Sequence, residues 1–377
     1  METLILSCST GGGHNAAAKA LKSELESRGH HAVMMDPYEL VSHRLAKEVG
    51  GAYVKMVQFT PRVFGLIYSL GNLVRRVPMN SPVYYANIAV AKKLGEYLKE
   101  NPVDVIICTH LYPAELITYL KKNFKHVPPS IYVATDYVCI PFTEETNCDY
   151  YVIPGAAQAQ DFIHRGIPEE KLAPLGIPVS PAFESNMTKA EARKQLGLEP
   201  MRKYLLLAGG SIGAGNIEKT IDAILKYFDK NLIYAKMIVI SGNNEKLYQK
   251  LQKKYGREII LIKHTNEMAA YMRACDVFIS KPGGLSSTEA AVAGVPCIHM
   301  APIPGCESYN VRFFKKKGMS VRVNKQGWTM RAALKKLDKP KEVEKMLDKQ
   351  KKGIPSDARE KICDLAEYAA AKYCNVK

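Results

Sequence analysis

Lys281-Pro282-Gly283-Gly284-Leu285-Ser286-Ser287-Thr288-Glu289-Ala290 follows the apolar run Val277-Phe278-Ile279 and precedes Pro304-Gly305-Cys306-Glu307-Ser308-Tyr309-Asn310. A short buried strand, a glycine loop and a helix opening, in that order, form the building unit of doubly wound α/β folds. The glycines let backbone approach a pyrophosphate, and a helix opening at Ser286 aims unpaired amides and its positive dipole end at such a group. Glu289, one turn into that helix, has the wrong sign for a phosphate. Its carboxylate suits instead the two hydroxyls of a ribose. The same residues also fit a plain strand-to-helix turn, with the glycines serving tight packing and Glu289 the helix dipole.

Two more openings of this kind lie upstream. Tyr204-Leu205-Leu206-Leu207-Ala208 reads as strand, Gly209 to Gly215 as loop, and a helix starts near Asn216. At the start of the chain, Thr3 to Ser7 reads as strand, Ser9-Thr10-Gly11-Gly12-Gly13 as turn, and His14 to about Ser27 as helix. Apolar runs at Val33–Asp36, Val103–Thr109, Ile131–Asp136, Tyr150–Ile153, Leu172–Leu175, Met237–Ser241, Ile259–Lys263 and Pro296–Met300 supply further strands, with a helix expected at Pro113–Asn123. Strands alternating with helices imply parallel sheets. The pattern predicts an α/β chain of two facing Rossmann-like domains with a central cleft, over 1–180 and 181–355. The boundary falls near the proline-rich Gly176–Pro181, ahead of a helix led by the capping box Thr188-Lys189-Ala190-Glu191. The amphipathic helix from Asp357 to about Lys372 could pack back onto the first domain.

A chain of 377 residues that is 47% hydrophobic is globular and suits two domains. It has no apolar run of membrane-spanning length, and its start lacks the pattern of a signal peptide, so a cytosolic location is expected. The nine cysteines show no CxxC pair or zinc spacing, so reduced thiols and no metal are expected. The net charge of +16 comes from the second half: residues 1–178 hold 17 Lys/Arg and 17 Asp/Glu, whereas 179–377 hold 36 and 20. One basic excess hides in the first half, between Arg44 and Lys93, where eight basic residues face the single acid Glu48 among many aromatic and aliphatic groups. Arg62, Phe64, Arg75 and Arg76 are its candidate contacts with an anionic membrane surface, although a helical region with a solvated basic face reads the same way. No nucleic-acid motif appears, and no nucleic-acid partner is expected.

With these pieces in place, the chain resembles the monogalactosyl- and processive diacylglycerol glycosyltransferases, and more widely the bacterial enzyme that adds N-acetylglucosamine to lipid I. The resemblance rests on Ser9–His14, Ala134-Thr135-Asp136-Tyr137, Gly176–Phe183, Leu207-Ala208-Gly209-Gly210 and Lys281–Asn310, in that order and spacing. It implies a GT-B fold and inverting transfer from a UDP-sugar without a catalytic metal or other cofactor. It also implies a peripheral enzyme on the inner face of the cell membrane, acting on diacylglycerol or a related lipid. His14 matches the histidine implied to be the general base on the lipid hydroxyl, a task that imidazole can perform at cytosolic pH. Gly11, Gly12 and Gly13 would let acceptor and diphosphate approach the backbone. Asp136, at a strand's C-terminal end, could orient His14, act beside it or serve as a cap. Glu289 matches the ribose-binding glutamate, Glu307 and Asn310 the loop for donor sugar and phosphates, and Gly210, Ser211 and Gly213 the second diphosphate loop. Lys281, Gly283, Gly284, Ser286 and Ser287 complete the expected donor site. Where related lipid transferases carry Pro-Gly-Gln-Glu, this chain has Pro304-Gly305-Cys306-Glu307, which leaves glucose and galactose undistinguished.

The reaction expected from the resemblance is one in-line displacement at the anomeric carbon. Rivals on the same pattern are a UDP-N-acetylglucosamine transferase onto an undecaprenyl lipid, a UDP-sugar 2-epimerase, and a non-catalytic nucleotide-sugar sensor.

Overall fold

A computed structural model describes residues 1–8, 12–44, 46, 51, 87–209, 217–324 and 328–374. The chain divides into two units, one of residues 1–180, 304–306 and 356–377, the other of 181–303 and 307–355.

The first unit is built on six parallel strands in the order β2-β1-β3-β4-β5-β6. They are β1 (Glu2–Leu6), β2 (His31–Met35), β3 (Val105–Cys108), β4 (Ser130–Val133), β5 (Tyr150–Val152) and β6 (Leu172–Ala173). Helices α1 (Gly12–Ser27), α2 (Ile88–Glu100) and α3 (Leu111–Asn123) provide cover. Central strands buried on both faces are apolar along their buried length, which is why Leu4-Ile5-Leu6 of β1 and Val105–Cys108 of β3 read as hydrophobic runs. Their side chains still alternate. Leu4, Leu6, Ile106 and Cys108 join the core that contains α2 and α3 residues, while Ile5, Val105 and Ile107 join Ala18, Leu21 and Leu25 of α1. The C-terminal helix Ala358–Cys374 completes that second layer with Ile362, Cys363, Ala366, Ala369 and Ala370, so it does cross back to the first sheet. Arg28 of α1 donates to Asp364 at 2.6 Å and to Glu367 at 3.1 Å, and Arg359 donates to Glu24 at 2.8 Å.

The second unit is also a six-stranded parallel sheet but in a different order, β12-β11-β10-β7-β8-β9, with two strands instead of one on the far side of its first strand. Its strands are β7 (Lys203–Ala208), β8 (Ala235–Ile240), β9 (Ile259–Ile262), β10 (Val277–Ser280), β11 (Cys297–His299) and β12 (Val321–Arg322). Its helices are α4 (Ile217–Lys230), α5 (Glu245–Tyr255), α6 (Met268–Ala274), α7 (Gly284–Val292), α8 (Cys306–Lys317), α9 (Trp328–Leu337) and α10 (Pro340–Gly353). A short helix at Lys189–Gln195 starts from Thr188 with both hydrogen bonds of the capping box in place.

In each sheet one strand has neighbours that leave in opposite directions: β1 lies between β2 and β3, and β7 between β8 and β10. The loops leaving such a pair part from each other and open a crevice at the strands' C-terminal ends, where open parallel sheets take ligands. In the sequence, the segments that follow β1 and β7 are the glycine-rich ones, and most of their residues lie outside the described residues.

Candidate active site

In the first unit the crevice is furnished by three strand ends. His14, in the first turn of α1, brings Nδ1 to 2.8 Å from the Thr109 carbonyl oxygen, just past β3, and to 3.0 Å from Thr135 Oγ1, just past β4. A carbonyl oxygen only accepts, so Nδ1 carries the proton and the lone pair sits on Nε2. His110 packs edge-on against His14, with ring centres 4.5 Å apart, and its own Nδ1 accepts the Tyr112 backbone N–H at 3.1 Å. Desolvation lowers the pKa of His14, opposed by the negative charge of Asp136 and by the Thr109 carbonyl. His110 is driven well below its ordinary value, by burial first and by His14 second. The result is a neutral imidazole at neutral pH with a defined tautomer, the state a general base requires. Asp136 is partly exposed and acts on the ring through its charge. The hydrogen bonds that orient the ring come from Thr109 and Thr135. Gly12 is exposed and Gly13 half-buried at the opening of α1.

Behind His110 lies a buried polar chain. Tyr38 donates to Asn87 Oδ1 at 2.5 Å, and Asn87 donates to Glu115 Oε2 at 2.8 Å. Burial, reinforced by the charge of Glu145, pushes the Glu115 carboxyl up to about 8.

In the second unit α7 opens at Gly284 with Gly283 as its N-cap, two residues earlier than Ser286. A Cβ built on Gly283 would meet no other atom within 4 Å, and no positive φ is recorded there. Neither backbone strain nor packing among the described residues demands a glycine at 283, so the open space before the helix is available to something outside the chain. Glu289 is partly exposed one turn on, and its carboxylate makes no hydrogen bond or ion pair with another described residue. Loss of water around it pushes its pKa up to about 7.

Other expected donor-site residues are hydrogen-bonded within the second unit. Ser287 is buried, its hydroxyl donating to the Gly283 carbonyl at 2.7 Å and lying 3.0 Å from His299 Nε2. Lys281 Nζ donates to Glu307 Oε1 at 2.5 Å, and Glu307 Oε2 accepts the Ile303 N–H at 2.8 Å. Glu307 is therefore engaged at both oxygens and only 6% exposed. Asn310 is fully buried and donates from its amide to the Pro282 carbonyl at 3.0 Å. Together Glu307 and Asn310 bolt α8 to the Lys281-Pro282 loop. Gly305 has φ +115°, a conformation that glycine alone adopts readily, so the turn before α8 keeps its shape whatever residue 306 is. Cys306 is partly exposed at the first position of that helix.

Gly210, Ser211 and Gly213 lie outside the described residues, as do Arg62, Phe64, Arg75 and Arg76. Thr109, His110 and Thr135 are the site residues the sequence pattern did not single out.

The family model for monogalactosyldiacylglycerol (MGDG) synthase matches residues 14–179, and that for glycosyl transferases group 1 matches residues 188–353. The processive diacylglycerol beta-glucosyltransferase of Bacillus pumilus (strain SAFR-032) is 26% identical over 328 residues, which cover 85% of this chain and 83% of that protein. Among solved structures, S. aureus MnaA with UDP superposes with a TM-score of 0.66 at 14% identity, over 100% of this chain and 98% of its own. Acinetobacter baumannii MurG gives a TM-score of 0.63 at 14% identity, over 97% and 99%. At such identity the likeness concerns the fold, which is GT-B with two Rossmann-like units.

Proposed function

We propose that the chain moves a hexose from a UDP-sugar to the free hydroxyl of diacylglycerol at a membrane surface, with inversion, a reading supported by the match of residues 14–179 to the monogalactosyldiacylglycerol synthase model and by the 26% identical diacylglycerol glucosyltransferase. The observation that carries this reading is the neutral His14, its Nδ1 proton tied to Thr109 and Thr135 and its Nε2 lone pair left as the basic atom. Nε2 takes the hydroxyl proton as the acceptor oxygen attacks the anomeric carbon. The bond from that carbon to the diphosphate oxygen breaks, and its electron pair leaves on UDP. The imidazolium that results is stabilised by the nearby charge of Asp136.

The second unit supports the donor half of the reading. The backbone amides opening α7 and the empty space beside Gly283 suit a diphosphate, and the unpartnered Glu289 suits the ribose hydroxyls. Fixed amide dipoles already in place stabilise developing negative charge without reorganising, so the proposed step is written without a divalent cation.

The test is product analysis by mass spectrometry, offering competing UDP-glucose, UDP-galactose and UDP-N-acetylglucosamine on vesicles containing diacylglycerol, with and without chelator. A hexosyl lipid should form and persist with chelator. His14→Ala should lower kcat by at least about 100-fold, the usual contribution of a positioned base, while UDP binding survives. Turnover within a few-fold of wild type would remove the base. Conversion of UDP-N-acetylglucosamine without any lipid product would instead make the chain an epimerase.

A further inference from the structure

The step written above leaves one polar group of the first crevice unused. His110 is the N-cap of α3, and its Nδ1 accepts the Tyr112 backbone N–H at 3.1 Å. An imidazole that accepts at Nδ1 is neutral and carries its proton on Nε2. His14 is the opposite tautomer, since its Nδ1 faces the Thr109 carbonyl. The crevice therefore shows a basic lone pair and an N–H donor on two rings whose centres are 4.5 Å apart. His110 is only 8% exposed, yet its Nε2–H makes no hydrogen bond with another described residue. A donor so far out of water is expected to have a partner. Its ring is held in place by edge-on contacts with His14 and with Tyr112, the second at 4.6 Å. Capping alone does not call for histidine, because Asn, Asp and Ser are the better caps and bring no second ring nitrogen.

We propose that His110 is a specificity-determining residue for the acceptor, its Nε2–H donating to an ester carbonyl oxygen of the lipid whose hydroxyl faces His14. The inference rests on the lipid-acceptor reading above and names the second group of the lipid that the crevice recognises. The partner of an N–H must be an acceptor. The attacking hydroxyl oxygen is a poor choice, since a hydrogen bond to its lone pair would oppose the attack. An ester carbonyl accepts without that penalty and lies only a few bonds from the free hydroxyl of diacylglycerol. Burial first, and the neighbouring His14 second, keep His110 neutral, so the donor and the cap persist together across the working pH range.

The test is transfer by the full chain, in neutral detergent micelles, to dioctanoylglycerol and to the matching dioctylglycerol diether, which keeps the hydroxyl and the chains but has no carbonyl. The wild type should show an acceptor KM at least about fivefold higher for the diether, because the buried N–H is then left unpaired, with kcat within about twofold. His110→Asn retains a side-chain oxygen to cap Tyr112 and loses Nε2–H. Its KM for the diester should rise to the diether value, its KM for the diether should change little, and the acid limb of kcat should stay in place. Equal KM values for the two lipids in the wild type would overturn the inference without any variant. So would an equal loss on both lipids in His110→Asn, or a displaced acid limb, either of which would make the ring a support for His14. No transfer to either lipid by the wild type would sink the proposed function and this inference with it, whereas transfer without discrimination sinks this inference alone.

Discussion

His14, His110 and His299 are all held below the ordinary histidine pKa by burial, but to different ends. For His14 the depression keeps Nε2 available, and Asp136 limits how far it goes. The acid limb of kcat should therefore have its midpoint below pH 6.5, and Asp136→Asn should move it to lower pH, because removing a negative charge disfavours the imidazolium. A midpoint that stays put or rises would show that Asp136 does not act on His14. His299 lies between Ser287 Oγ and Ser320 Oγ and is brought down to about 3. The folded form stays unprotonated there while the unfolded chain takes up a proton below pH 6.5. Its stabilising contribution is thus complete above 6.5 and declines as pH falls toward about 3, by about 1.4 kcal/mol per pH unit. Urea unfolding of His299→Gln between pH 6.5 and 4.5 should show a slope shallower by one proton than wild type. An unchanged slope would mean His299 titrates normally. Glu289 has the opposite sign. Its carboxyl is raised to about 7, and a ribose needs the ionised form, so donor KM should climb as pH drops through that value, an effect absent in Glu289→Gln.

At the level of elements, the loop from β10 into α7 separates a structural glycine from a functional one. Gly283→Ala places a methyl in empty space with no positive φ to relieve, so thermal stability should hold to within about 0.5 kcal/mol, as for an ordinary surface change. Donor KM should rise at least tenfold if a diphosphate occupies that space, and a normal KM in the folded variant would empty the loop of its role. The parallel strands were readable in the sequence because strands buried on both faces are continuous apolar runs, and Val277–Ser280 stands where the pattern put it. Where that signal weakens, elements escaped notice. β12 is two residues long, and α9 and α10 are so rich in lysine that their apolar faces are sparse. α2 begins inside the basic stretch Arg44–Lys93 and runs past it to Glu100, so its start reads as part of that stretch. In the site, glycine loops, His14 and Glu289 were legible as motifs. Thr109 was not, because it holds His14 through a backbone carbonyl that any residue supplies. Thr135 and His110 reach the same ring from far along the chain. Ser287, Glu307 and Asn310 carry the right chemistry for a ligand, and their hydrogen bonds also tie them to the residues around the loop, which the sequence alone does not show.

On the scale of the whole molecule, both units are six-stranded parallel sheets whose strand order reverses beside their first strand, with one strand beyond β1 in the first unit and two beyond β7 in the second. No described helix is long and apolar enough to cross a membrane. The helix Ala358–Cys374 follows the second unit in sequence but packs in the core of the first. That helix is held by apolar burial against α1 and by Arg359, which is 5% exposed and donates to Glu24. Glu24 also accepts from Arg28 at 2.9 Å. Stripping one partner from a buried pair usually costs 3–5 kcal/mol because a charge is stranded, but here Glu24 keeps Arg28, so about 2–3 kcal/mol is expected for Arg359→Ala. Glu24 is half-buried, and although desolvation raises its pKa, the hydrogen bonds and charges of Arg359 and Arg28 outweigh it and hold the carboxyl below its usual value. That contribution is present above about pH 4.5 and fades as pH falls, so the mutational penalty should shrink in acid. The loss should also be confined to one unit. Urea unfolding of Arg359→Ala should split into two transitions, an earlier one for the first unit and an unshifted one that UDP still moves upward by binding the second. A single transition displaced as a whole would mean that the two units unfold together, and the C-terminal helix would then stabilise the entire chain.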